Sequence, residues 1–375
     1  MLFSATPDVF MRDRAPRVDA ARTLLLRAIA DRIFPAAVAE VGESGGVLWR
    51  EALGTLAFDD PKAATETTIF DLASLTKPVA TTTVVMDLFA GGRVDLADPL
   101  TLYFPEWLGA DREAATVQDV LEHASGLAAR LVDPPPESRR EFEHDICTLR
   151  LEYPPRSRSI YSDLGFILLG FLAADRGGAP LDILFDATLR RVVGVRHGSA
   201  LENSDVLAFG IPAGAGRRTA PTEPLPEDVR RGRRLAGEVH DNYAAALSGV
   251  AGHAGLFGTA AAVGEFASSM LRAARGDAAV PAPLTPAVVT RATSKTTIPG
   301  SSRALGWDTM LPTSSCGTKL SPSAFGHTGF TGTSLWIDPV RDRYYVLLTN
   351  RVCGGGTEAE IKQVRRAFHD AAAVV

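Results

Sequence analysis

A serine and a lysine stand three positions apart in the segment 70–78, which reads FDLASLTKP. Residues at i and i+3 lie on the same face of a helix, so Ser74 and Lys77 would be neighbours in its first turn. The positive end of the helix dipole favours a developing alkoxide, and an adjacent lysine can take or relay the serine proton. The pair predicts an activated nucleophile, whereas the ordinary alternative is a capping serine beside a solvated lysine.

Two further segments place reactive groups next to turn or strand signals. Tyr161 lies in the segment IYSDLGF, which follows a proline-rich loop and opens an apolar helix. A tyrosine there could act as a general base if cations lower its pKa. The segment 326–332, GHTGFTG, leads directly into a predicted strand, and its glycines favour close backbone approach to a ligand. Taken singly, these segments equally fit a core aromatic residue, an edge-strand bulge and a structural His327.

Hydrophobic periodicity predicts the elements that must position these residues. Helix-like spacing covers 18–34, 74–90, 117–123, 165–175, 263–274 and a last helix that carries Ile361, Val364, Phe368 and Ala372 on one face. Strand-like patterns cover 37–41, 47–56, 334–337 and 344–348. The strands therefore lie at both ends of the chain and helices fill the middle.

This distribution predicts an α/β (α+β) fold class with an antiparallel sheet flanked by N- and C-terminal helices and an inserted, mostly helical subdomain. We expect residues 1–77 plus 251–375 to form a discontinuous α/β domain and residues 78–250 to form the helical part. The active site is expected between them.

Composition narrows the function classes. The chain has 375 residues, 46% of them hydrophobic, and a net charge of −5, which is typical of a globular protein with a large core. The arginine cluster at 230–234 is flanked by acidic residues, so we expect no nucleic-acid partner. The longest apolar stretch, 166–174, is too short to span a bilayer, so no membrane partner is expected either.

The cysteines and the N-terminal segment bear on the compartment. Cys147, Cys316 and Cys353 are isolated and show no zinc-ligand spacing, which predicts free thiols in a reducing environment. Charged residues interrupt the first 17 positions, so no signal peptide is predicted. These features lead us to expect a cytoplasmic protein.

Together the three reactive segments resemble the motif set of penicillin-binding proteins and serine β-lactamases. The order agrees with S-x-x-K, Y-x-N and K-T-G, which read here Ser74-x-x-Lys77, Tyr161-Ser162-Asp163 and His327-Thr328-Gly329. The segments 91–99, GGRVDLADP, and 121–127, LEHASGL, look like connecting stretches of the class C β-lactamase-related branch, which includes esterases. The resemblance extends from about residue 18 to the C-terminus.

The resemblance implies a serine hydrolase with a β-lactamase/transpeptidase-like fold. Ser74 would form an acyl-enzyme, and Lys77 and Tyr161 would handle the proton, with Tyr161 the favoured base. The backbone N–H groups of Ser74 and Phe330 would form the oxyanion hole, beside Thr328 and Gly329 in the substrate-binding strand. No metal or organic cofactor is implied.

Two positions depart from the β-lactamase pattern. Asp163 stands where an asparagine is usual, and an ionised carboxylate accepts hydrogen bonds but cannot donate them. It would hold Lys77 protonated and make this lysine a cation that stabilises tyrosinate. His327 replaces the lysine of K-T-G, and a mostly neutral histidine binds a substrate carboxylate less well. Both departures argue against an efficient β-lactamase.

A fourth stretch, 237–243, reads GEVHDNY and resembles a bacterial subgroup of β-lactamase-like hydrolases, some of them linked to muropeptide turnover. His240 and Asp241 would then bind substrate on a loop beside the pocket. The alternative is a structural His–Asp pair that caps a helix. We expect His253, which lies among glycines, to be structural.

These observations predict a carboxylesterase or amidase that acts on a small ester, amide or muropeptide substrate. The alternatives are a muropeptide amidase or peptidase, a weak β-lactamase, and a catalytically silent binding protein on the same scaffold. The sequence offers no basis for an oligomeric state.

Overall fold

The computed structural model describes residues 8–131, 135–193, 205–211 and 214–375. The α-helices of this part are α1 (Asp8–Ala30), α2 (Thr83–Ala90), α3 (Val117–Leu121), α4 (Arg139–Thr148), α5 (Asp163–Gly177), α6 (Leu181–Val193), α7 (Asn242–Ala246), α8 (Ala260–Ala274), α9 (Pro286–Thr293) and α10 (Glu358–Ala372). The strands are β1 (Ala36–Glu43), β2 (Gly46–Ala57), β3 (Asp60–Ala63), β4 (Phe70–Asp71), β5 (Leu207–Phe209), β6 (Leu256–Gly258), β7 (Asp308–Thr309), β8 (Phe325–Thr328), β9 (Ser334–Asp338) and β10 (Arg343–Thr349).

Strands from both ends of the chain form one antiparallel sheet. Within the described ranges its order is β3-β2-β1-β10-β9-β8-β7, so the first and last thirds of the sequence meet where β1 pairs with β10. The register places Val38 opposite Leu348, and the hairpin β9–β10 continues the ladder with Tyr345 opposite Trp336. The predicted fold class, a mixed α/β fold on an antiparallel sheet, is confirmed.

Two apolar layers cover the two faces of this sheet. Successive side chains of a strand point to opposite faces. Accordingly, Val346 and Leu348 of β10 pack in a core shared with α8 and the middle helices. Tyr345 and Leu347 pack in a second core, shared with α1 and α10. The sheet is therefore flanked by the N- and C-terminal helices on one side and by α8 on the other.

Helices α2 to α7 occupy the middle of the chain, together with a small sheet of order β4-β6-β5. In this sheet Phe70 lies opposite Gly258, so β6 holds the strand that immediately precedes Ser74. The division at 77/78 and 250/251 stays a prediction. Residues 1–7 of the first predicted domain, and 132–134, 194–204 and 212–213 of the second, lie outside the described residues.

The helix predicted over 74–90 is wrong in its first half. Residues Ala73–Leu75 form a 3-10 turn, Lys77–Thr82 form a π-helix, and the α-helix begins only at Thr83. Pro78 lacks an N–H group, and the Thr83 hydroxyl donates to the Pro78 carbonyl over 3.2 Å. These features break the regular ladder. Ser74 and Lys77 are still neighbours, because the Lys77 Nζ lies 3.0 Å from the Ser74 Oγ.

No individual helix in the described part combines the length and apolar character needed to cross a bilayer. One pair of helices, α5 with α6, meets both criteria only when it is taken together across a bend of 75°.

Candidate active site

The chain turns sharply just before Ser74. Ala73 has a φ of 47°, a left-handed conformation that costs a non-glycine residue about 1–2 kcal/mol. The buried Asp71 side chain holds this turn, because one of its oxygens accepts from the Ala73 N–H at 2.8 Å and the other from the His240 N–H at 2.6 Å. Burial raises the pKa of Asp71 to about 6. The result is a fixed turn that presents Ser74.

Ser74 lies within hydrogen-bond distance of both residues that were predicted to activate it. The Ser74 Oγ is 3.0 Å from the Lys77 Nζ and 2.7 Å from the Tyr161 hydroxyl. The Lys77 ammonium also lies 4.7 Å from the centre of the Tyr161 ring. The structure therefore brings the three residues of two separate motifs into direct contact.

Lys77 is fully buried and surrounded by oxygen atoms. Its Nζ is 2.8 Å from an Asp163 carboxylate oxygen and donates to the His253 carbonyl at 3.1 Å. Burial acts against the charge, but the Asp163 and Tyr161 oxygens together raise the pKa of Lys77 above its ordinary value. Lys77 is thus an ammonium group in the resting site, as the carboxylate at position 163 led us to expect.

His123 positions Tyr161 on the loop before α5. The two rings lie 4.8 Å apart, the His123 Nδ1 accepts from the Ser162 N–H at 3.1 Å, and the His123 carbonyl accepts from the Ile160 N–H at 2.9 Å. Burial, followed by the charges of Arg303 and Lys77, lowers the pKa of His123 well below its usual range. The neutral His123 imidazole packs against the Tyr161 ring and keeps Tyr161 in contact with Ser74.

A base activated by cations was expected to have a lowered pKa, but the pKa of Tyr161 is raised. Burial raises this pKa, Lys77 lowers it in part, and Asp163 raises it again, so that the net pKa lies above its ordinary value. The resting hydroxyl is therefore a neutral phenol that donates to Ser74, and tyrosinate is a minor species near neutral pH.

Asp163 belongs to a cluster of charged groups behind Lys77. Its second oxygen accepts from the Arg130 Nη1 at 2.9 Å, and the same nitrogen donates to Asp241 at 2.9 Å. The His253 Nε2 lies 2.8 Å from the other Asp241 oxygen. Donor atoms of Asp163, Asp241 and His253 all lie within 4.8 Å of one another, a spacing compatible with a metal ion. Arg130 already binds both carboxylates and, together with Lys77, balances their charge.

The segment after β8 lies directly against the turn that carries Ser74. A Cβ atom at Gly329 would lie 2.4 Å from the Leu72 carbonyl and 2.2 Å from the Thr333 hydroxyl. The Thr333 and Thr331 hydroxyls donate to the Leu72 and Asp71 carbonyls at 3.0 and 2.7 Å. The glycine predicted to allow close approach to a ligand therefore allows close approach to the segment that carries Ser74.

His327 lies on the edge of the same site. Its ring centre is 6.0 Å from that of Tyr161, and its Nδ1 is 2.8 Å from the Thr328 carbonyl. Burial lowers the pKa of His327 well below its usual range, and the charges of Arg303 and Lys77 lower it further. His327 is neutral, as expected, and provides no positive charge for a substrate carboxylate.

The two backbone groups expected to form an oxyanion hole have no partners in the described ranges: neither the Ser74 N–H nor the Phe330 N–H donates a hydrogen bond there. The Phe330 carbonyl accepts from the Arg351 Nη2, and the Gly329 carbonyl accepts from the Arg365 Nη2, each at 2.6 Å. These guanidinium groups hold the segment by its carbonyls, which leaves the Phe330 amide available to a substrate oxygen.

Most of the predicted site residues line one cavity of about 670 Å³. Its wall includes Ser74, Tyr161, Asp163, His240, Asp241, His327, Thr328, Gly329 and Phe330. Lys77 is absent from this wall because it lies beneath Ser74, without solvent exposure.

His240 and Asp241 have separate contacts, so the structural His–Asp pair that was the alternative to substrate binding does not form, although Asp241 does cap a helix. The His240 ring stacks on Phe330 at 5.6 Å, and its Nε2 lies 3.0 Å from the Glu223 carbonyl. Asp241 caps α7 by accepting from the Ala244 N–H at 2.8 Å. Both side chains line the cavity, and their role in substrate binding stays a prediction.

Among the cavity-lining residues that the sequence did not indicate, Arg130 and His253 contact the charged cluster and Arg303 contacts the Tyr161 ring. Arg130 and Arg303 belong to no motif, and an arginine in a loop has no local sequence signal of its function. His253 lies in a glycine-rich stretch and was predicted to be structural. Its ring pairs with Asp241 and its carbonyl binds Lys77, so it contacts the charged cluster directly.

A serine in contact with a lysine and a tyrosine on a cavity wall is an arrangement typical of serine hydrolases. The sequence profile of the Beta-lactamase family matches residues 22–368. A putative D-alanyl-D-alanine carboxypeptidase from Escherichia coli (strain K12) is 30% identical over 328 residues, which cover 80% of this chain and 72% of that relative.

Solved structures agree at the level of the fold. EstCE1, described as a hydrolase with promiscuous acyltransferase activity, superposes with a TM-score of 0.72 at 19% identity and covers 94% of this chain and 98% of its own. A class C beta lactamase from Rhodobacter sphaeroides gives a TM-score of 0.71 at 19% identity with the same coverage of 94% and 98%. The chain belongs to the Beta-lactamase family and is a serine hydrolase, which confirms the family resemblance found in its motifs.

The Asp163 carboxylate should set the pH dependence of this site. Its charge raises the pKa of both Lys77 and Tyr161, so Asp163→Asn should lower both pKa values. If tyrosinate is the base, its fraction at a given pH then increases, and the ascending limb of kcat/KM moves to lower pH. The measurement is 4-nitrophenyl butyrate hydrolysis between about pH 6 and 10.

The matched control for this experiment is Asp308→Asn, which removes another carboxylate from the same cavity wall. Asp308 has no ion pair with Lys77 among the described residues, so the limb should keep its position. A limb that stays in place or moves to higher pH in Asp163→Asn would contradict the assignment of charges.

Proposed function

We propose that this protein is a carboxylesterase or amidase that forms an acyl-enzyme on Ser74. The observation that carries the proposal is the pair of contacts from the Ser74 Oγ, 3.0 Å to the Lys77 Nζ and 2.7 Å to the Tyr161 hydroxyl. A nucleophile within reach of a proton acceptor and of a fixed cation is the arrangement that covalent acyl transfer requires.

In the acylation step, Tyr161 acts as tyrosinate beside the Lys77 ammonium. The Ser74 Oγ attacks the substrate carbonyl carbon while its proton passes to the Tyr161 oxygen. The new C–O bond gives a tetrahedral oxyanion, which the N–H groups of Ser74 and Phe330 stabilise. Tyr161 then gives the proton to the leaving oxygen or nitrogen, the bond to that atom breaks, and an ester on Ser74 remains.

Deacylation reverses these roles with water as the nucleophile. Tyr161 accepts a water proton, hydroxide adds to the acyl carbon, and the tetrahedral species collapses. The proton returns to the Ser74 Oγ and the free acid leaves. Lys77 stays an ammonium throughout, because Asp163 neutralises its charge at 2.8 Å.

Departures from the β-lactamase pattern favour this function over β-lactam hydrolysis. His327 is neutral and Asp163 has no proton to donate, so neither reproduces the K-T-G lysine or the Y-x-N asparagine. The substrate in this proposal is a small ester or amide. A cytoplasmic location and an active site between two domains remain predictions.

Ser74→Ala should abolish both covalent labelling and turnover. We expect wild type to gain one fluorophosphonate adduct by intact-mass spectrometry and to hydrolyse 4-nitrophenyl butyrate. The matched control is Ser315→Ala, which removes a hydroxyl from another serine of the same cavity wall and should keep both activities. An adduct that persists in Ser74→Ala would contradict the nucleophile, and an adduct without ester turnover would favour an amide substrate.

A second candidate, a peptidase that releases a residue with a free carboxylate, is favoured by Arg303. Its guanidinium lies 5.2 Å from the centre of the Tyr161 ring and has no ion pair or side-chain hydrogen bond to any residue in the described part of the chain. Tyr161 gives its proton to the leaving group, so a cation beside its ring lies where that group departs. The curated relatives, named as putative D-alanyl-D-alanine carboxypeptidases, support the same substrate class.

Arg303→Gln should reduce any preference for a carboxylate on the leaving group. The substrates are an N-acetylated tripeptide ending in D-Ala-D-Ala and its C-terminal amide, and the readout is the ratio of their kcat/KM values. Loss of one charge-assisted hydrogen bond should lower this ratio by about 10- to 100-fold. Arg291→Gln, in which an arginine bound to Gln118 is removed, is the control. An unchanged ratio in Arg303→Gln would exclude this role.

A further inference from the structure

Arg130 lies where the charged cluster meets the cavity. Its Nη1 donates to Asp163 and to Asp241, each at 2.9 Å, and its Nη2 donates to the Asn242 side chain at 2.6 Å. The guanidinium also stacks 4.0 Å from the centre of the Tyr243 ring. These contacts fix the group in one orientation at the end of a loop.

The Arg130 guanidinium also has N–H groups that none of these contacts uses. Three of its N–H groups serve the contacts above, which leaves the Nε–H and one Nη2–H without an acceptor among the described residues. The side chain is 34% exposed and forms part of the cavity wall. Two fixed, charged donors therefore remain beside the substrate cavity.

Asp163 cannot bind a substrate carbonyl at this place. One of its oxygens is 2.8 Å from Lys77 and the other 2.9 Å from Arg130, and an ionised carboxylate has no proton to donate. A single asparagine could contact the lysine through its oxygen and a substrate through its NH₂ group. Here the oxygen that contacts the lysine belongs to Asp163, and the N–H groups that could contact a substrate belong to Arg130.

We propose that Arg130 is a substrate-binding residue that donates its remaining N–H groups to a carbonyl oxygen in the acyl part of the substrate. Asp163 and Arg130 together thus make the two contacts that one asparagine could make. The Asp163 carboxylate binds Lys77, and the Arg130 guanidinium binds the substrate. This inference rests on the proposed acyl-enzyme function and names its preferred acyl group, an N-acylated aminoacyl chain rather than a plain alkanoyl chain.

The place of Arg130 explains why the acyl part is the one bound. The leaving group takes its proton from Tyr161 and so departs on the Tyr161 side of Ser74. Arg130 lies on another side of Ser74, because it contacts Asp163 and Asp163 contacts Lys77, the neighbour of Ser74. A neutral carbonyl suits the site, because the carboxylates of Asp163 and Asp241 already balance the charges of Arg130 and Lys77.

The test compares two acyl groups of the same length on the same neutral leaving group. The ethyl thioesters of N-acetylglycine and of pentanoic acid differ by an amide in place of two methylenes, and thiol release reports turnover. The ratio of their kcat/KM values is internal to each preparation, so it is independent of the fraction of folded enzyme. We expect wild type to favour N-acetylglycine and Arg130→Met to lower the ratio by about 10- to 100-fold, the value of one hydrogen bond to a charged group.

Two further variants separate binding from a structural role. Arg130→Lys keeps a positive charge between the carboxylates but lacks the guanidinium fork, so its ratio should also fall. The double variant Arg130→Met with Asp163→Asn places an amide donor beside the cavity and should regain part of the ratio. A residue that merely holds the cluster together would change both thioesters equally.

Each outcome decides the matter. A ratio that falls in both single variants and recovers in the double variant supports the assignment. Turnover of both thioesters with a ratio unchanged by the Arg130 variants would overturn it and leave Ser74 acylation intact. A wild type that hydrolyses neither thioester would overturn the acyl preference assigned to Arg130, and the fluorophosphonate adduct then shows whether acylation of Ser74 fails with it.

Discussion

The buried ion pair between Lys77 and Asp163 is the constraint on which the rest of the site depends. Lys77 has no solvent exposure, and an isolated ammonium in such a place would be strongly destabilising unless it were neutralised or paired. The carboxylate at 2.8 Å supplies the opposite charge, and the Ser74 hydroxyl and the His253 carbonyl accept its other hydrogen bonds. Removal of Asp163 therefore changes the charge state of the site as well as one contact.

This pair also explains why distant parts of the chain must meet. Lys77 comes from the π-helical turn after Ser74, Asp163 from the first turn of α5, and His253 from the loop before β6. The antiparallel sheet contributes the wall that faces them, since the Thr331 and Thr333 hydroxyls bind the carbonyls just before Ser74. Arg130 extends the same network to Asp241 and the cavity. Contacts from several separate parts of the chain therefore hold the turn that carries Ser74.

Local sequence patterns predicted the elements better than they predicted the electrostatics. The apolar run along 344–348 and the helical spacing along 361–372 identified the sheet and its covering helix, because the strand is buried on both faces and the helix packs one face against a core. The three motifs identified the family, and the role of Ser74 as nucleophile stays a prediction. The π-helix at 77–82 escaped prediction, since its backbone depends on hydrogen bonds from Thr81 to Gly252 and from Thr83 to Pro78. Arg130 and Arg303 were not predicted either. The hydrogen-bond partners of Arg130 are 33 or more positions away in the sequence, and the partner of Arg303 is the face of the Tyr161 ring.

We infer that Lys77 is a permanent cation, held charged by Asp163, and that Tyr161 therefore performs the proton transfer. Nitrogen-15 NMR of the lysine side chains can observe this charge, because Lys77 is one of only five lysines and Lys77→Arg assigns its signal. We expect an ammonium signal that persists through neutral pH and beyond the ordinary lysine pKa of 10.5, and that titrates at lower pH in Asp163→Asn. A Lys77 amine that loses its proton near neutral pH in the wild-type protein would exclude this role and make the lysine itself the base.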